Sequence, residues 1–72
     1  MLVNVSKLID EIKSNGFTIH QISKELNINV STFYRKLKCP ESFTIEEVDV
    51  LYRVLSLDLD KACSIFFADT VA

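Results

Sequence analysis

Between Thr18 and Lys38 the chain reads TIHQISKELNINVSTFYRKLK. Its second half gathers Ser31, Thr32, Tyr34, Arg35, Lys36 and Lys38 on one short segment. Hydroxyls, an aromatic and cations at this density do the chemistry of recognition. The cations suit phosphate oxygens, and the hydroxyls suit hydrogen bonds to base edges. Bond-making chemistry has no comparable set of residues. His20 is the single histidine, with no nucleophile spaced to pair with it. Cys39 and Cys63 lack the CxxC spacing of a metal or redox motif and read as two reduced thiols, Cys39 in a loop and Cys63 in the core. No phosphate loop is present, so neither enzyme activity, nor a cofactor, nor a metal is expected.

Apolar spacing supplies the elements that must hold this segment. Val5, Leu8, Ile9 and Ile12 fall at i, i+3, i+4 and i+7 in a first helix over residues 4–14, with Asn4 as its cap and Asn15-Gly16 as its stop. Phe17 then turns back to the core. Thr18 and Gln21 have the spacing of a capping box opening a second helix, whose buried stripe is Ile19, Ile22 and Leu26. Ser23 is small where a following helix must come close. Asn27 can take the left-handed conformation of a sharp reversal, Ile28 plugs the turn, and Asn29 can cap a third helix over residues 30–38. Phe33 and Leu37 point that helix inward.

Pro40 ends it, residues 39–43 form a loop, and Thr44 with Glu47 makes a second capping box. A fourth helix over 45–56 is expected to turn Ile45, Val48, Leu51, Tyr52 and Leu55 inward. After a joint at Leu57-Asp58, with Asp58 as cap, a fifth helix covers about 59–68, and residues 69–72 are expected to fray. Ile65, Phe66 and Phe67 are consecutive, so they cannot all face one core, and this end of the chain is expected to offer an apolar partner surface.

Composition agrees with an all-α bundle. The 72 residues are 49% hydrophobic with a single Gly and a single Pro, leaving few breaks. The whole chain, 1–72, is expected to be a single domain with a thin stability margin, since so short a chain buries only about 60% of its unfolded surface. No apolar run approaches the roughly 20 residues of a membrane span, so a soluble, intracellular protein is expected. The net charge of −2 is unevenly placed. Residues 1–40 hold six Lys/Arg against three Asp/Glu, whereas residues 41–72 hold two against seven. A weakly basic head is thus joined to an acidic tail, too little cationic charge overall for a simple nucleic-acid binder.

The pair of short helices with a tight turn over residues 18–38 is the pattern of a helix-turn-helix. The run LNINVSTFYRKL (residues 26–37), the later Phe43-Thr44, the spaced Leu55 and Leu57, and the closing Ile65-Phe66-Phe67-Ala68 resemble small phage regulators with a Cro/repressor-type helix-turn-helix. The family's turn glycine is replaced here by Asn27. The resemblance covers nearly the whole chain and implies a five-helix, phage repressor/Cro-like fold. It also implies a role in the lysogeny switch of a temperate phage, in the cytoplasm of the bacterial host.

Its length and layout are similar to the modulator-of-repression type. That likeness implies an antirepressor that pairs with the N-terminal helix-turn-helix domain of the phage repressor, with operator DNA as a further target. The alternative is a Cro-like repressor acting as a homodimer on operator DNA. For either target the expected contacts are Gln21, Val30, Ser31, Thr32, Tyr34, Arg35, Lys36 and Lys38. Val30 would meet a thymine methyl, Ser31 and Thr32 base edges, and Gln21, His20, Lys36 and Lys38 phosphates. Glu41, Glu46 and Glu47, with Phe66 and Phe67, form the expected second partner surface.

Overall fold

The computed structural model describes residues 3–67. They form five α-helices, with no strand among the described residues: α1 (Val5–Ser14), α2 (Ile19–Glu25), α3 (Val30–Lys38), α4 (Ile45–Val54) and α5 (Leu59–Phe66). A short 3-10 turn, Pro40–Ser42, links α3 to α4. The expectations for residues 68–72 lie outside the described residues.

The helix starts follow local chemistry. Asn4 and Asp58 accept from the Lys7 and Lys61 backbone N–H groups. Thr18 with Gln21, and Thr44 with Glu47, each close a reciprocal box that satisfies two otherwise unpaired N–H groups. Asn29 departs from this pattern. It occupies the cap position of α3, but its side chain makes no capping bond.

Three helices end in one way. Gly16, Asn27 and Ser56 take left-handed backbone, at φ 80°, 58° and 50°. After each, an apolar residue reaches back to the helix it follows: Phe17 N–H to Ile12 C=O, Ile28 N–H to Ser23 C=O, and Leu57 N–H to Tyr52 C=O. This is the Schellman closure, which satisfies orphan carbonyls and drives the next side chain into the core. At α4 it stops the helix at Val54, two residues short of the expected 56, because Ser56 adopts a conformation that sequence favours for Gly or Asn.

The core is built from Leu8, Ile12, Ile22, Phe33, Leu51, Leu55, Ile65 and Phe66, each almost wholly enclosed. Phe33 and Phe43 meet edge to face with centroids 6.1 Å apart, holding α3 to the segment before α4. Ser23 is 1% exposed and returns its hydroxyl to the Ile19 carbonyl at 2.8 Å, so it passes between the packed helices without an unpaired polar atom. Helix α1 packs on α5. Their ends are tied by Asn4 N–H to Ile65 C=O at 2.6 Å and by the Lys61–Glu11 pair at 3.3 Å.

The inward face of α4 differs from the expected one. Ile45 is 71% exposed and Tyr52 is also exposed, while Val48, Val50, Val54, Leu51 and Leu55 pack inward. At 100° per residue this inward set is centred close to Leu51, which leaves Ile45 and Tyr52 about 100–120° away on the opposite side from Val50 and Val54. Leu59, the first residue of α5, is likewise 70% exposed. Of the three consecutive apolar residues, Ile65 and Phe66 are buried and Phe67 rotates outward to 38% exposure.

Candidate recognition surface

The outward side of α3 is set by Phe33, which is fully buried, and by Leu37, which packs beside it. Opposite them, Ser31, Arg35 and Lys38 follow at i, i+4 and i+7 in one exposed stripe. Tyr34 flanks the stripe on one side with half of its surface, 51%, open to solvent. Thr32 and Lys36 flank it on the other, both half-buried. Val30 opens the helix and is also half-buried, leaving only part of its side chain accessible.

Lys36 does not point outward. Its Nζ lies 3.0 Å from Glu47 Oε1, donates to the Ser42 carbonyl at 2.9 Å, and stands 5.9 Å from the centre of the Phe43 ring. Only 16% of the Lys36 side chain and 14% of the Glu47 side chain remain exposed. Glu47 is further engaged as acceptor from the Thr44 N–H at 2.9 Å. The pair therefore clasps α3 to the start of α4, and both side chains are structural in this arrangement. Among the described residues, Lys24, Arg35 and Lys38 are the cations of α2 and α3 that make no ion pair.

Gln21 is exposed, but its Oε1 accepts from the Thr18 N–H at 2.8 Å, which leaves mainly its amide NH2 for an outside partner. His20 is exposed one residue before it. Lys24, absent from the expected contacts, lines a shallow groove with Asn27, Ile28, Asn29 and Thr32, where the turn meets the start of α3. Its signal in the sequence was its register. Ile22, Ser23 and Leu26 are inward, so Lys24 must face out beside His20, four residues earlier.

The expected second surface is divided by the structure. Glu41 and Glu46 are exposed, Glu41 in the 3-10 turn and Glu46 in the first turn of α4. Glu47 is half-buried in its pair with Lys36. Phe66 is 0% exposed and offers nothing to a partner, because the register of α5 aims it at the core beside Ile65. Phe67 is partly open.

Among the described residues no group of His, Cys, Asp and Glu is arranged to hold a metal ion, and no helix is long and apolar enough to cross a membrane. Cys39 is exposed at the end of α3 and Cys63 is half-buried in α5, both free thiols. Comparison of the chain with protein-family models, with curated proteins and with solved structures returns no match.

Proposed function

We propose that this chain is a phage helix-turn-helix regulator of the modulator-of-repression kind, an antirepressor that acts in the host cytoplasm. In this reading the outward side of α3 meets the N-terminal helix-turn-helix domain of the phage repressor, with operator DNA as a weaker second target. The observation that carries the reading is the state of the α3 cations. Lys36 is tied to Glu47 and Ser42, so the exposed stripe offers only Arg35 and Lys38, with Lys24 nearby and Tyr34 standing 51% open. A DNA reader draws its affinity from phosphate neutralisation, each phosphate adding about 0.9 to the salt slope, and three cations supply few such contacts. Tyr and Arg are instead among the residue types enriched at the energetic centres of protein interfaces.

A second reading, a Cro-like homodimer on operator DNA, is favoured by the basic balance of residues 1–40.

The test is a titration of labelled operator DNA with the purified chain, alone and with the matching repressor, at low and moderate salt. Loss or alteration of the repressor's own shift, without binding by the chain alone, supports the antirepressor. Specific binding by the chain alone that weakens steeply with salt supports the Cro-like reading. Arg35→Ala is expected to weaken whichever complex forms.

A further inference from the structure

A second groove lies between the end of α2 and the start of α4, with a volume of about 440 Å³. Leu26 and Val50 give it an apolar lining, and Glu25, Glu46 and Glu47 place carboxylates around it. Glu47 is already engaged by Lys36 and by the Thr44 N–H. Glu25 and Glu46 are exposed, and among the described residues neither makes an ion pair. Ile45, between two residues that line the groove, is 71% exposed. Asn27 lines both this groove and the one beside Lys24, so the two surfaces run together at the turn.

We propose that this groove receives an arginine side chain from the DNA-reading surface of a partner protein, an inference that rests on the antirepressor reading. The argument is one of charge and shape. Carboxylates beside the α2–α3 turn repel a phosphate backbone, so they oppose nucleic acid as the occupant. A guanidinium pairs with carboxylates through two parallel N–H bonds and is less strongly hydrated than an ammonium. Its methylene stem matches a lining of Leu26 and Val50, which a bare cation would leave uncovered. A protein surface that reads DNA is rich in such side chains, since arginine is its commonest means of binding guanine and phosphate. Glu25 and Glu46 thus supply the negative charge that the reader otherwise takes from DNA, and occupation of the groove withholds that arginine from the operator.

The experiment is calorimetric titration of the repressor's N-terminal domain into the full chain and into the double variant Glu25→Gln, Glu46→Gln. A thermal melt and a sedimentation measurement accompany each protein. Among the described residues neither side chain makes an ion pair and both are exposed, so the variant is expected to melt as the parent does. Its affinity for the domain is expected to fall roughly tenfold or more, with a smaller gap at high salt. Equal affinity for parent and variant would overturn the groove as the site while leaving the antirepressor reading intact. No binding by the parent would overturn both. Self-association of the parent that the double variant loses would make a second copy the occupant and overturn the assignment to a foreign arginine.

Discussion

Lys36→Met separates a structural cation from a reading one. The substitution keeps most of the apolar stem and removes the ammonium. Lost with it are the 3.0 Å pair with Glu47, the 2.9 Å bond to the Ser42 carbonyl and the approach to the Phe43 ring. A hydrogen bond from a charged group contributes about 1.5–3 kcal/mol, and the ring contact about 0.5–1 kcal/mol at an exposed site. The remaining exposure of 16% and 14%, together with the desolvation of both charges, discounts that sum. A net loss of about 2 kcal/mol is expected. For a domain of this size it corresponds to a fall in Tm of roughly 8–16 °C.

The assay is thermal and urea unfolding followed by helical circular dichroism, with Glu47→Gln and the double variant completing a cycle. Glutamine still accepts from the Thr44 N–H, so the cycle isolates the pair, with an expected coupling of about 1 kcal/mol. Arg35→Ala, on the open stripe, is expected to melt within about 0.5 kcal/mol of the parent. Binding to repressor or DNA should show the reverse order, weakened by Arg35→Ala and nearly unchanged, once the protein is folded, by Lys36→Met. If Lys36→Met melted like the parent yet abolished binding, Lys36 would be a surface contact and the clasp between α3 and α4 would be wrong.

Three further outcomes follow from the same structure. Ser56→Gly is expected to stabilise by about 0.5–1 kcal/mol in urea unfolding, because glycine relieves the left-handed strain at φ 50°, and a destabilised variant would contradict the Schellman closure of α4. Phe66→Ala is expected to cost about 3–5 kcal/mol, enough to unfold so small a domain, whereas Phe67→Ala should cost far less, and melts with similar midpoints would contradict the register of α5. Thr44→Ala is expected to cost about 1 kcal/mol through loss of the cap on α4, and an unchanged urea midpoint would contradict a stabilising bond from the Glu47 N–H to the Thr44 hydroxyl.

Several features were legible in the sequence because they depend on neighbours within one turn. The two capping boxes need only Thr18 with Gln21 and Thr44 with Glu47, and both formed. Gly16 and Asn27 end their helices because few other residues take positive φ at low cost. Leu8 and Ile12 of the expected α1 stripe and the inward Phe33 follow from helical spacing, whereas Val5 and Ile9 stay half-buried at its margin, and an outward α3 surface of Ser31, Tyr34, Arg35 and Lys38 follows from the same spacing.

Tertiary structure decided what local spacing leaves open. Apolar residues surround much of α4, so its packing partners chose the face that buries Val50 and Val54 and leaves Ile45 and Tyr52 outside. Along Ile65, Phe66 and Phe67, spacing requires one to turn away, but only the packing of α5 on α1 selects Phe67. The largest change concerns the charges. Read along the chain, Lys36 is one of three equivalent cations and Glu47 one of several surface acids. Eleven positions separate them in sequence, and the 3-10 turn with its Phe43 anchor brings them together. Spacing within a helix can place a side chain on a face, but only the fold determines whether that side chain meets solvent or an opposite charge.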